Sequence, residues 1–346
     1  MKKVLVTGAG GLIGSASVEF FAAEGFSVFG IENNLRKYFF GEGGSVEWNV
    51  ARLKEKFDCD TIDLDIRIEK DVNAFFEKHL FDLIIHTAAQ PSHDWAAKEP
   101  LTDFDVNARA TLILLEAARK YSPEAVFVFM STNKVYGDLP NKLPFIEKDL
   151  RFELPDGHQY FNGIDESMSI DASTHSLFGV SKTAADLAVQ EYGRYFGMKT
   201  VCFRGGCLSG PAHSGVALHG FLSHLVKSIV NEKIYTVFGH NGKQVRDNLH
   251  SYDVASAIYE FYKNPKSAAV YNLGGTRESN ISMKEAIKKI EALCGKKAKI
   301  EYNDMARVGD HIWYITDMSR FKKDYPDWKI TKPVDVLLDE MVKGSL

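Results

Sequence analysis

Short apolar runs, each followed by a segment of helical period, recur through the N-terminal half of the chain. Val4-Leu5-Val6, Phe26 to Ile31, Leu83-Ile84-Ile85, Val126 to Met130 and Thr200 to Phe203 have the length and apolarity of buried strands. Between them, Leu12 to Phe21, Phe104 to Tyr121 and Ser181 to Phe196 carry apolar residues at helical spacing. Continuous apolar strands alternating with helices predict an α/β fold. Its core is a Rossmann-type doubly wound parallel sheet covered on both faces. From about Gly206 the pattern loosens into loops rich in Gly, His and Asn, with short helices such as Ser282 to Leu293. Residues 1–205, with a returning segment near 247–275, are expected to form the sheet domain. Residues 206–246 and 276–346 are expected to form a smaller C-terminal lobe facing a substrate.

A chain of 346 residues is long enough for one large domain or two that share an interface. The net charge of −4 offers no basic surface for nucleic acid or an anionic membrane. Cys59, Cys202, Cys207 and Cys294 are scattered without a Cys-x-x-Cys pair, so no zinc ribbon or disulfide framework is expected. Cys202 and Cys207 lie in or beside an apolar run and read as buried thiols. His213, His219 and His224 lack a nearby carboxylate that would complete a metal set, so no metal is expected. The apolar run after Lys2-Lys3 stops at Thr7-Gly8, too short for a signal peptide. No stretch reaches the length of a membrane span, and a reduced cytoplasmic protein is expected.

Thr7-Gly8-Ala9-Gly10-Gly11-Leu12-Ile13-Gly14 holds a Gly-x-x-Gly-x-x-Gly motif between a strand and a helix. Gly8 permits the tight turn, Gly11 lets the backbone approach a pyrophosphate, and Gly14 lets the helix pack on the sheet. The helix start offers Leu12 and Ile13 N–H groups and a partial positive charge to phosphates. Glu32, with Asn33 beside it, follows the second strand, where an acid accepts from the adenosine ribose hydroxyls. A 2′-phosphate at ~4 Å from it would meet a repulsion of ~4 kcal/mol at an effective dielectric near 20. NAD is therefore favoured over NADP, although Arg36 and Lys37 close by weaken the exclusion. Asp65, followed by Ile66, is placed to accept from the adenine amino group.

Several motifs in order resemble the extended short-chain dehydrogenases/reductases of the NAD-dependent epimerase/dehydratase family. They are the glycine turn, Asp65-Ile66, His86-Thr87-Ala88-Ala89-Gln90, Asn107, Ser131-Thr132-Asn133-Lys134-Val135-Tyr136-Gly137, Arg246 to His250 and Arg307 to Asp310. Within that family, the Ser131 to Gly137 run and Gly274 to Ser282 look most like CDP-tyvelose (CDP-paratose) 2-epimerases. The resemblance implies that Thr87, Ala88 and Gln90 line the cofactor and that Asn107 helps hold the active-site helix. It implies that Lys182 grips the nicotinamide ribose and that Thr132, with Asn133 beside it, meets the reacting sugar hydroxyl. Arg246 and Arg307, with Asp310, would handle the diphosphate of a nucleotide-sugar, where a guanidinium fork suits paired phosphate oxygens. The implied activity is NAD-dependent epimerisation through a transient keto-sugar, at C2 of a CDP-sugar. The implied assembly is a homodimer or homotetramer in which the 104–121 and 181–196 helices pair with a second subunit.

The chain departs from the family at the Tyr-x-x-x-Lys motif, where Phe178 stands four residues before Lys182. A phenyl ring cannot move a proton. Three explanations fit. Another group is the base: His175, one turn earlier and with an ordinary pKa of ~6.5 suited to the task, or Tyr136 or Tyr160. Alternatively, a tyrosine was deliberately exchanged to trap a ligand, or the protein binds without turnover. A net nucleotide-sugar dehydrogenase or reductase is the other enzymatic alternative. Thr132 is followed by Asn133-Lys134 rather than the Asp-Glu pair of the 4,6-dehydratases, which disfavours dehydration. Cys207 stands where many relatives carry an asparagine.

Overall fold

The computed structural model describes every residue except 214, 216–219, 307–308 and 346. His219 and Arg307 lie outside the described residues. Seven strands form the central sheet: β1 (Lys3–Thr7), β2 (Ser27–Ile31), β3 (Thr61–Ile62), β4 (Leu83–His86), β5 (Val126–Thr132), β6 (Lys199–Gly205) and β7 (Ala269–Leu273). All pair in parallel, in the order β7-β6-β5-β4-β1-β2-β3. The order reverses at β1, so a crevice opens beyond the carboxyl ends of β1 and β4, where such sheets bind ligands. The edge strand β3 is two residues long. That is too short for any periodicity to reveal it.

Alternation along the strands divides the core into two layers. Val4 and Val6 pack with α1 (Leu12–Ala23), while Leu5 packs with α2 (Ala110–Tyr121) and α3 (Leu177–Phe196). The first layer also takes Val254, Ile258 and Phe261 of α4 (Ser251–Lys263). The returning segment thus contributes both α4 and β7 to the sheet domain. A separate core of Leu225, Ile229, Ile290 and Leu338 builds the smaller lobe, beside a parallel pair of Ile234–Phe238 and Lys299–Asn303.

Two stretches cross the expected boundaries. Phe321, Tyr325 and Trp328 return to the sheet domain, where Phe321 meets Tyr271 with ring centres 5.3 Å apart. Conversely, Val135, Tyr136, Ile164 and Met168 leave it to bury Trp313 and Tyr314. Both shifts come from large aromatic side chains that need cover and find it across the chain rather than along it.

The long helical patterns are also refined. Phe104 to Tyr121 is interrupted by a single π turn, Asp105–Arg109, carrying Asn107. The 181–196 helix starts earlier, at Leu177, because the Ser176 side chain caps it by accepting from Gly179 N at 3.2 Å. Among the described residues no helix is long and apolar enough to cross a membrane.

The packing makes two outcomes measurable. A Cβ on Gly14 would sit 2.0 Å from the Gly8 carbonyl oxygen, whereas one on Gly11 would meet it at 3.2 Å. Gly14→Ala should therefore destabilise by about 2 kcal/mol or more in urea unfolding, and Gly11→Ala by clearly less. The second concerns His86, buried between Thr7 Oγ1 at 2.7 Å and Thr111 Oγ1 at 2.9 Å. Burial, then the Lys182 charge, push its pKa down to about 3. The unfolded histidine takes up a proton below ~6.5, so its contribution is complete above that pH and shrinks by ~1.4 kcal/mol per unit below it. Between pH 7 and 5, His86→Asn should lose about 2 kcal/mol less stability than the wild type. Equal losses would show that His86 does not carry this effect.

Candidate active site

One cavity of about 460 Å³ runs along the crevice at the strand ends. The Gly8–Ile13 turn, Glu32 and Arg36 line one end, Thr132, Phe178 and Lys182 the middle, and Cys207, Arg246 and Asp310 the far end. Its walls come from both the sheet domain and the smaller lobe.

At the first end, Gly8 holds φ +70°, and its carbonyl accepts from Gly11 N at 2.9 Å. No side chain caps α1, so the N–H groups of its first turn are left for a ligand. Gly14 is packed behind the turn, against the Gly8 carbonyl, and does not line the cavity. Glu32 accepts from Gly10 N at 3.1 Å and Asn34 N at 2.8 Å. Burial pushes its pKa up, while those backbone hydrogen bonds oppose the shift. Lys37 turns away to pair with Glu42, but Arg36 remains on the cavity wall. Asp65 and Ile66 also line this end. Burial works against the Asp65 charge, yet Arg67, at 2.6 Å, holds the carboxyl below its ordinary value. Asn33 lines the wall and accepts from Leu35 N at 3.2 Å.

Thr87 and Ala88 reach the cavity, held by hydrogen bonds to Thr7. Gln90 does not line it, contrary to its expected place against the cofactor, and neither does Asn107, which was expected to help hold the active-site helix. Gln90 is fully buried, donating through Nε2 to Asp103 Oδ1 at 2.7 Å and Ser92 O at 2.9 Å. Its backbone N donates to Asn107 Oδ1 at 2.9 Å. Asn107 Nδ2 in turn donates to Gln90 O at 3.0 Å and Ser181 Oγ at 3.1 Å. This amide latch ties the loop after β4 to the first turns of α3. The wide π turn at Asn107 allows one amide to reach both.

In the middle, Lys182 Nζ donates to Met130 O at 2.7 Å and lies 4.0 Å from the Phe129 ring centre. Burial pushes its pKa down to about 7, against the pull of Asp186. Thr132 ends β5 and accepts from Lys134 N at 3.2 Å. Asn133 and Lys134 line the wall beside it. Lys134 Nζ donates to Gly309 O at 2.8 Å, and burial brings its pKa down to about 8. Phe178 faces the cavity on the same side of α3 as Lys182.

None of the three expected substitute bases lines the cavity. His175 turns its Nε2 to Val135 O at 2.7 Å, because the cap at Ser176 points the preceding residue behind the β5 turn. Tyr136 is fully buried, donating to Asn272 Oδ1 at 2.7 Å and accepting from Arg204 Nη1 at 3.2 Å. Burial pushes its pKa up to about 12. Tyr160 packs beside His158 at the edge of the cluster that buries Trp313 and Tyr314.

At the far end, Arg246 is buried and donates through Nη2 to Asp310 Oδ1 at 2.8 Å. Burial opposes the Asp310 charge, but Arg246 and Lys134 hold its carboxyl well below the usual range. Cys202 is buried, as expected. Cys207 instead reaches the cavity wall, and burial pushes its thiol up to about 11. His213 lines the cavity, while His224 packs against Tyr235 at 5.4 Å.

His93 is a cavity residue that the sequence patterns did not single out. Its ring meets Phe178 edge to face, with centres 5.1 Å apart, and Nδ1 lies 2.5 Å from Ser176 Oγ. The available signal was its position, three residues past Gln90 in the loop at the carboxyl end of β4, where the strand order reverses.

The sequence matches the profile of the NAD dependent epimerase/dehydratase family over residues 4–274. It is 31% identical to the CDP-paratose 2-epimerase of Salmonella typhi, with 94% of each chain covered. It is 27% identical to the UDP-glucuronate 4-epimerase of Thermodesulfobacterium geofontis, over 92% of this chain and 88% of that one. The fold is shared with the UDP-glucose 4-epimerase of Thermus thermophilus, solved with NAD, at a TM-score of 0.79 and 23% identity. That match covers 99% of this chain and 98% of the other. With its glycine turn, ribose-side acid and motif-bearing strand ends gathered on one crevice, the chain belongs to the NAD dependent epimerase/dehydratase family, and its cofactor is NAD.

Proposed function

We propose that this protein is an NAD-dependent epimerase of a nucleotide-diphosphate sugar, inverting one ring carbon, C2 of a CDP-sugar being the leading assignment. The observation that carries this reading is the continuity of the cavity. One crevice joins the dinucleotide turn to Thr132 and Lys182 and ends at the Arg246–Asp310 pair. NAD, when bound, supplies a reversible hydride acceptor. The uncapped first turn of α1 holds its phosphates, and Glu32 holds its adenosine ribose. Lys182 binds the ribose at the nicotinamide end, and Thr132 fixes the sugar hydroxyl beside it.

Arg246 receives the diphosphate of the substrate. Asp310 holds the guanidinium in place but shares its charge, so substrate binding requires the fork to serve two anions. With Asn133 and Lys134 following Thr132, no carboxyl pair stands there for water elimination, which favours epimerisation over dehydration. The exposed Leu112 of α2 and Leu187 of α3 suit contact with a second copy of the chain, which we read as a cytoplasmic homodimer or homotetramer.

The test is incubation of the NAD-loaded protein with CDP-, UDP-, GDP- and dTDP-sugars in deuterated water, followed by NMR. The expected product is one sugar inverted at one ring carbon, without deuterium on that carbon and without net reduction of NAD. Net conversion of the cofactor in step with product would replace the epimerase by a dehydrogenase or reductase. Binding of a sugar nucleotide with no product from any of them would leave a binding protein, the alternative that Phe178 favours.

A further inference from the structure

The proton-transfer group missing at Phe178 has a candidate directly beside it. His93 lies on the short helix His93–Lys98, in the loop region after β4, and not on α3. Its ring and that of Phe178 meet edge to face, so it borders the volume next to the residue that replaces the family tyrosine. The Nδ1 side is fixed twice. Ser176 Oγ lies 2.5 Å from it, and the backbone of Gly309, at φ +78°, passes so close that a Cβ there would come within 2.6 Å of Nδ1. Nε2 is then the ring nitrogen left to a ligand, and it makes no hydrogen bond to any described residue.

We propose that His93 is the catalytic acid–base group of this enzyme, accepting the sugar hydroxyl proton at Nε2 in place of a tyrosine. This rests on the epimerase reading. With NAD bound to accept hydride from the carbon, the O–H bond would break with its proton passing to Nε2. With the hydride returned to the other face of the carbonyl carbon, the imidazolium would give the proton back to the same oxygen. Sugar and imidazole both end as they began.

The tautomer this needs has Nδ1–H donating to Ser176 Oγ, 2.5 Å away, and the Nε2 lone pair left for the substrate. Two charged groups face the ring from elements other than its own. Lys134 on the turn after β5 disfavours a second positive charge, and Asp310 in the loop before Trp313 favours it. Burial and Lys134 prevail, pushing the pKa down to about 4, so the ring is neutral and able to accept a proton near pH 7.

The experiment combines kinetics on the converted sugar with ¹⁵N NMR of the histidine rings in the unmodified, NAD-loaded protein. His93→Gln should lower kcat at least ~100-fold, the low end of what a positioned acid–base group supplies, with KM changed less than ~3-fold. In the wild type, kcat/KM should hold steady near neutral pH and fall as pH drops toward about 4. His93 should show a protonated Nδ1 and an unprotonated Nε2 whose signal moves when the sugar nucleotide binds. This readout needs no folded variant. Phe178→Tyr, which brings a phenol to the same volume, should restore at least ~10-fold of the activity lost in His93→Gln. If the wild type converts a sugar and His93→Gln retains activity within ~3-fold, or Nε2 carries the proton, His93 is not the base and the epimerase reading stands. If the wild type converts no sugar, that reading fails and the assignment of His93 falls with it.

Discussion

The active-site end of the molecule depends on how the first two turns of α3 are held. Three side chains there reach three different partners. Ser176 meets His93, Ser181 meets Asn107, and Lys182 meets the carbonyl of Met130 on β5. The Ser181 and Lys182 bonds are buried and that of Ser176 is partly buried, so a shift of α3 would strain all three together. Removing a partner from a buried polar group costs about 1–3 kcal/mol for each group left unpaired. The position of Phe178 and Lys182 on the cavity is therefore set by the walls around them as much as by their own helix. The amide latch of Gln90, Asp103 and Asn107 extends that constraint to the loop after β4.

Charge balance explains which groups remain usable. Asp186 sits behind Lys182, but Arg204 engages it at 2.9 Å and Ser131 Oγ donates to it at 2.5 Å. Tyr136 accepts from the same arginine. Its phenol is thus part of a buried ion-pair network in which every polar atom needs its partner. A proton taken by Tyr136 from a sugar would have to cross that network, and the side chain does not face the cavity. For Lys182, burial outweighs the pull of Asp186, which Arg204 also engages, and the pKa of the ammonium is lowered. At the far end the opposite holds. Arg246 and Asp310 pair directly, and Lys134 keeps the aspartate charged.

The sheet, its layers and the dinucleotide turn were legible in the sequence, because each rests on local spacing. Apolar runs marked β1, β2, β4, β5 and β6, and Gly8, Gly11, Gly14 and Glu32 marked the cofactor end. What was not legible depended on distant contacts. The return of Phe321 to the sheet domain rests on its contact with Tyr271 of β7, which no local pattern records. Gln90 and Asn107 belong to a motif, yet a motif does not say whether a side chain touches the ligand or the residue behind it. His175 was suggested by its helical spacing from Phe178, but the cap at Ser176 reverses the chain just there. His93 is far from Phe178 in sequence, and only the fold brings them into contact.

The exchange of tyrosine for phenylalanine alters more than the presence of a hydroxyl. A phenol at position 178 would have stood near the Lys182 ammonium, whose charge favours its ionised form. Phenylalanine removes that partner, and its ring meets the His93 imidazole edge to face. Burial disfavours the charged imidazolium, and Lys134 disfavours it further. Both effects keep His93 neutral, the state from which it can take a proton. The proton path moves from the helix that carries Lys182 to the short helix His93–Lys98 packed beside its first turn.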